Sequence, residues 1–401
     1  MKKKWLFKSL SDVCEFERGL TYAKTDEVDL SSNIILRANN IDLNTNQLDF
    51  KDLRYINDSF VIPRSKKIKK HSLLICTASG SKNHLGKVAY IDDDYDFAFG
   101  GFMGMLTPKD CLLPRYIFYL MISDNYKKFI AALSDGANIN NLKFSDLGRF
   151  SVPIPSLSEQ LYIVAILDKV FNSIATAKAN AERNLHNVHS LFESHLQAVF
   201  TDHKKNCVYK RLPAVAIDFG RGKSKHRPRN DPKLYGGEYP FIQTGDIRKS
   251  DHLITSYSQT YNDIGLAQSK LWPKGTLCIT IAANIAETGI LDFDACFPDS
   301  VIGVVVNEQI TSNRFLEYLL QSFKAHLQAQ GKGSAQDNIN LGTFENQEFP
   351  FPDIAEQYSI LEILDALREK TRLLKFIYQQ KIAALDELKQ SILHQAFTGQ
   401  L

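Results

Sequence analysis

The stretch PIPSLSEQLYIVAILD, beginning at Pro153, returns as PFPDIAEQYSILEILD, beginning at Pro350, 197 positions later. Eight of the sixteen residues are identical, where two unrelated stretches would share about one. A chain that repeats itself at this distance is built from two copies of one unit, and the rest of the sequence can be searched for the second copy of everything else.

Each copy opens a long helical pattern. From Ser158 to Thr201 there is no Gly or Pro, and Leu161, Val164, Leu167, Phe171, Ile174, Ala177, Ala181, Leu185, Val188, Phe192 and Val199 recur mostly in steps of three and four. Such spacing makes one apolar stripe on one helix. Ser158 is the expected N-cap, and Pro153 and Pro155 forbid an earlier start. The second helix is expected from Ala355 to Thr398, capped by Asp353, with its stripe through Ile360, Leu364, Leu367, Leu374, Tyr378, Leu385, Leu388 and Ile392 and its stop at Gly399. About forty residues at 1.5 Å each make a rod of roughly 60 Å, which needs a partner for its stripe. The economical partner is the other rod. Two helices packed independently on their own domains are the alternative.

The stretches before the rods repeat as well. IILRANNID (34–42) answers PFIQTGDIR (240–248), and SLLICTASGSKNHLGKV (72–88) answers GTLCITIAANIAETGIL (275–291). PRYIFYLM (114–121) then answers NRFLEYLL (313–320), and NINNLKFSDL (138–147) answers NINLGTFENQ (338–347). The β-branched runs read as strands, and the RYIFYLM and RFLEYLL blocks as single helices. The expected fold is α+β. Two tandem mixed α/β domains (1–155 and 204–352) are separated and joined by two long antiparallel helices (156–203 and 353–401) in a coiled coil with internal pseudo-twofold symmetry. Antiparallel rods would also bring Leu401 near Met1.

Motifs for catalysis are missing from this pattern. GSKNHLGKV (80–88) has one residue too many between glycines for a P-loop, and Val88 stands where Ser or Thr would meet magnesium. FGGFMG (99–104) lacks dinucleotide-binding spacing and reads as a tight turn beside a strand. The ten histidines form no paired ligand spacing, and the six cysteines stand singly, as reduced and mostly buried thiols do. No apolar window approaches a membrane span, and the start MKKKWLFKSL is too short in its apolar part for a secretion signal, so a cytoplasmic protein is expected.

Basic clusters are what remains. Arg64, Lys66, Lys67, Lys69 and Lys70 crowd one loop of the first half, and Arg221, Lys223, Lys225, Arg227 and Arg229 one loop of the second. With a net charge of only +3 over 401 residues, a nucleic-acid surface must come from such local clusters. Either loop alone also reads as an ordinary solvated loop. Around them lie small polar and amide residues suited to base edges, since Arg matches guanine and Asn or Gln matches adenine. In the first half these are Arg37, Asn39, Asn40, Ser79, Ser81, Lys82, Asn83, Asn138 and Asn140. In the second they are Gln243, Thr244, Arg248, Asn284, Lys332 and Asn338. Turn-forming Asn is the rival reading at each asparagine.

The Pro-x-Pro-x-x-x-Glu-Gln rod entrance, present twice, and the AFTGQL end give the chain its resemblance to specificity subunits of Type I restriction-modification systems. That resemblance implies a protein without catalysis of its own, in which each half is a target recognition domain reading one part of a split, asymmetric sequence in double-stranded DNA. The rods would fix the unread gap. Methylation subunits using S-adenosylmethionine and a restriction subunit using ATP and Mg would be the partners, with no membrane involved. A free-standing bipartite DNA-binding regulator and a coiled-coil adaptor are the alternatives.

Overall fold

The computed structural model describes residues 5–81, 84–134, 141–202, 207–282, 285–332 and 341–401. The chain divides into two compact units, one formed by Met1–Glu182 with Gln379–Leu401 and the other by Arg183–Tyr378. Each long helix is thus shared between the units.

In the first unit, a four-stranded antiparallel sheet runs in the order Cys14–Arg18, Met103–Pro108, Leu73–Cys76, Val88–Tyr90. A smaller sheet orders Glu27–Val28, Arg54–Ile56, Asn33–Leu36 and Ala98–Phe99, with the last pair parallel. A ribbon pairs Leu6–Ser9 with Ser151–Ile154. The second unit has the same skeleton. Ala216–Arg221, Val301–Val306, Leu277–Thr280 and Thr288–Leu291 form its main sheet, to which Leu253–Ile254 adds a parallel edge. Gln259–Tyr261, Tyr235–Phe241, Ala295–Cys296 and Leu271–Trp272 form its small sheet, and Val208–Arg211 pairs with Glu348–Phe351.

The duplication reaches the level of single contacts. Leu74 lies opposite Met105 and Ile75 opposite Gly104, while Leu277 lies opposite Val304 and Cys278 opposite Gly303. A Cβ on Gly104 would come within 2.7 Å of the Phe144 ring, and one on Gly303 within 2.7 Å of the Phe297 ring. Both strands use glycine at this point because an aromatic ring occupies the space of a side chain.

The long helices span Leu157–Asp202 and Ile354–Phe397. The first is capped by Ser156, whose Oγ accepts from the Glu159 N–H at 3.3 Å, so the cap lies two residues before the Ser158 expected from sequence. Asp353 does cap the second, accepting from the Glu356 N–H at 2.8 Å. Gly399, at φ +72°, ends it, and the Gln400 N–H donates back to the Gln395 carbonyl at 3.0 Å, the six-to-one bond of a Schellman stop.

The repeated entrance is explained by what its identical residues touch. Ile163, Leu167, Ile360 and Leu364 are buried in the unit cores. Gln160 is fully buried; its amide donates to the carbonyls of Cys111 and Pro155 at 3.0 Å each and accepts from the Leu113 N–H at 2.8 Å. Gln357 likewise donates to Ile310 and Pro352 at 3.0 Å each. Asp168 accepts from Arg115 Nε at 3.1 Å and from the Tyr119 hydroxyl, and Asp365 pairs with Arg314 and accepts from Tyr318 at 3.0 Å. These bonds fasten the start of each long helix to the helix that begins at Pro114 in the first unit and at Asn313 in the second.

Three stripe residues face solvent instead: Leu161, Leu374 and Leu388. At the first of these the buried place is taken by Gln160, about 100° round the helix from Leu161, so a count of apolar residues picks the wrong neighbour. In the first unit, Leu393 and Ala396 of the second helix join the core that holds Ile163, Val164 and Leu167 of the first, and Leu401 packs against it. Lys178 Nζ meets both Asp386 oxygens at 2.7 Å, and Lys389 lies 5.1 Å from the Phe171 ring centre. Higher residues on one helix meet lower residues on the other, so the helix segments in this unit are antiparallel. In the second unit, Leu196 and Phe200 share a core with Ile360, Leu361 and Leu364.

RYIFYLM forms a helix, Pro114–Met121, and a second helix, Asp124–Ser134, restarts after Ser123. In the second unit the corresponding segment is one helix, Asn313–Lys332. Among the described residues no helix is long and apolar enough to cross a membrane.

Candidate nucleic-acid interface

The basic loop of the first unit lies between strands Arg54–Ile56 and Leu73–Cys76, and that of the second between Ala216–Arg221 and Tyr235–Phe241. They occupy different places in the repeat. One basic loop stands in each half, as the sequence indicates, but the two are not copies of one another.

Within the first loop, Lys66 binds Glu17 at 2.5 Å and the Arg18 carbonyl at 3.0 Å, Lys67 pairs with Asp96, and Lys70 reaches Asp93 at 3.4 Å. Three of its five cations are thereby neutralised. Arg64 and Lys69 are exposed and have no acidic partner among the described residues. In the second loop, Arg229 holds Asp299 at 2.7 and 2.9 Å, and Arg227 donates to the carbonyls of Ser224 and His226 at 2.6 and 2.8 Å. Arg221, Lys223 and Lys225 are exposed, with no acidic partner among the described residues. Carbonyl partners leave the charge of Arg227 in place, so six cations of the two loops have no acidic partner among the described residues.

The polar candidates separate by burial. Asn40 is fully buried; its amide donates to the carbonyls of Asp49 and Asp52 at 2.8 and 3.1 Å, and its Oδ1 accepts from the Arg37 N–H at 2.7 Å. It is a turn residue with its bonds already made, and the expectation that it meets DNA is corrected on that ground. Asn39 is exposed beside it. Arg37 keeps a partly exposed side chain whose guanidinium donates to Asp52 at 2.9 Å. Ser79 Oγ accepts from the Ser81 N–H at 3.2 Å in a polar turn. Gln243 is exposed, its amide donating to Gln259 at 2.7 Å, with Thr244 and Arg248 on the short helix Thr244–Lys249 that follows. Lys82, Asn83, Asn138, Asn140, Asn284 and Asn338 lie outside the described residues, as does the side chain of Lys332.

Lys87, from the stretch that faintly imitates a P-loop, turns inward to the Ile41 carbonyl at 3.0 Å and His84 Nδ1 at 2.9 Å. Burial holds its ammonium below the ordinary lysine range. Asp52 and Gln259, the partners of Arg37 and Gln243, were not among the sequence candidates; each lies in the stretch that follows its partner's strand, a relation only the sheet order reveals. No cluster of His, Cys, Asp or Glu among the described residues could hold a metal ion.

Two units of one fold, each with cations that have no acidic partner among the described residues and an Arg- or Gln-bearing turn, define a duplicated two-unit protein. The comparisons narrow it. A family model described as the Type I restriction modification DNA specificity domain matches residues 2–183 and 217–382, and the chain belongs to that family. It is 25% identical to the Type I restriction enzyme StySPI specificity subunit of Salmonella potsdam, covering 99% of this chain and 89% of that protein. It is 24% identical to the EcoKI specificity subunit of Escherichia coli K12, again covering 99% and 89%. A chain in a solved structure concerning complex assembly and conformational transition of the type I R-M system superposes with a TM-score of 0.81 at 20% identity, covering 99% of this chain and 98% of that one. The HsdS subunit from Thermoanaerobacter tengcongensis gives 0.58 at 19% identity, covering 99% and 97%. Both likenesses support the fold.

Proposed function

We propose that this chain supplies DNA sequence specificity to a Type I restriction-modification complex and performs no catalysis itself. Each unit reads one half of a bipartite, asymmetric target in double-stranded DNA. The long helices pair along their length, set the gap between the half-sites and dock methylation subunits. Adenine methylation draws on S-adenosylmethionine held by those subunits, and a restriction subunit contributes ATP- and Mg-dependent cleavage. All of this chemistry takes place in the cytoplasm, on partner chains.

The observation that carries the reading is the family match falling on both units, each of which presents cations with no acidic partner among the described residues. Joining two such units makes the second binding event intramolecular, so only half-sites at matching separation are held together. The cations are tested through counterion release. In a complex with its methylation subunits, replacing Arg221, Lys223 and Lys225 by Ala is expected to weaken binding at every sequence alike. The slope of log affinity against log salt should fall by about 2 to 3. An unchanged slope would remove this loop from the interface.

A further inference from the structure

Arg37 and Gln243 occupy one position in the two repeats, reached in the same way. Each lies two residues after a small-sheet residue that pairs in parallel with a later strand, Ile35 opposite Ala98 and Phe241 opposite Cys296. Each is the N-cap of a short helical turn, and each backbone N–H is held by the side chain three residues on: Arg37 by Asn40 at 2.7 Å, Gln243 by Asp246 at 2.9 Å. Each side chain is then braced by a second residue from the neighbouring strand or the stretch before it. Asp52, two residues before strand Arg54–Ile56, accepts from Arg37 at 2.9 Å; Gln259, at the head of strand Gln259–Tyr261, accepts from Gln243 at 2.7 Å.

Helix capping asks only for the backbone N–H, which almost any residue provides, so it explains neither side chain nor the braces. Bracing removes rotamer freedom from a long polar side chain before it meets a ligand. What remains free is informative. After Nη2 donates to Asp52, with Nε–H buried and unpartnered, the partly exposed Arg37 guanidinium still has unused Nη hydrogens, and a pair of such donors is the pattern that meets O6 and N7 of guanine. After donating to Gln259, Gln243 keeps its carbonyl oxygen and one amide hydrogen, the acceptor and donor that meet N6 and N7 of adenine.

We infer that residues 37 and 243 are equivalent base-reading positions, Arg37 selecting a guanine and Gln243 an adenine, with Asp52 and Gln259 as positioning residues. The inference rests on the proposed DNA-reading function and assigns one base in each half-site to one residue. Discrimination at each of these bases is expected to be about tenfold or more.

The test exchanges the two braced pairs in the full chain, expressed with its methylation subunit in a cell without other adenine methylation, and maps methylated adenines by sequencing. Gln243→Arg with Gln259→Asp is expected to change one A to G in one half-site, and Arg37→Gln with Asp52→Gln one G to A in the other. The untouched half-site in each case reports that the complex is intact. An unchanged motif in both exchanged chains overturns the assignment. Should an exchanged chain leave no mark, Gln243→Ala decides: loss of preference at one base supports the inference, and uniform weakening or an unchanged motif overturns it. A wild-type chain that marks no bipartite motif defeats the DNA-reading proposal itself.

Discussion

Removing one heptad from the middle of each long helix is expected to shorten the unread gap of the DNA target by about 3 base pairs, because seven residues rise about 10.5 Å along a helix and each base pair about 3.4 Å along DNA. The bases of the two half-sites should stay the same, since each unit keeps its own sheets and its own braced turn. Seven residues are close to two full turns, so the buried faces around Leu167 and Leu364 remain in register with their units. Sequencing of methylated sites reads the gap directly. An unchanged gap would mean that the helices do not set the distance between half-sites.

Replacing Gln160 by Ala is expected to cost about 3 kcal/mol in the unfolding of the unit that contains it. The change strands the Leu113 N–H and the carbonyls of Cys111 and Pro155, and an orphaned buried polar group costs about 1 to 3 kcal/mol. For a unit of this size that corresponds to a midpoint lower by roughly 6 to 12 °C. Gln357→Ala should cost less, about 2 kcal/mol, since its amide donates two bonds and its carbonyl oxygen is buried without a partner among the described residues. Calorimetry of the two variants checks both the size and the order of the effects. A loss below about 1 kcal/mol for Gln160→Ala would show that the repeated entrance is not the anchor described above.

The same glutamines show what the sequence could and could not disclose. Their repetition was visible, and it marked a duplicated chain with two long helices, while β-branched runs located the strands Leu73–Cys76 and Leu277–Thr280. Their role was not, because a buried Gln is recognised by the carbonyls around it, and while Pro155 is five residues from Gln160, Cys111 is 49 residues away. Periodicity counted Leu161 as core for the same reason. At the candidate interface, charge density along the chain identified the basic loops, but the acids that neutralise Lys66, Lys67 and Arg229 are 49, 29 and 70 residues distant. Local pattern cannot distinguish a free cation from a paired one. Asn40 and Arg37 make the point most sharply: three residues apart in one turn, one is consumed by the fold and the other keeps a partly exposed guanidinium held by Asp52.

The central claim is that this chain directs adenine methylation to a two-part DNA sequence. Its most direct test is single-molecule sequencing of methylated adenines in a cell lacking its own systems, expressing the chain with and without its methylation subunit. The account predicts a split, asymmetric motif, marked only when both are present. A functional methylation subunit that leaves no such mark in the presence of this chain would contradict it.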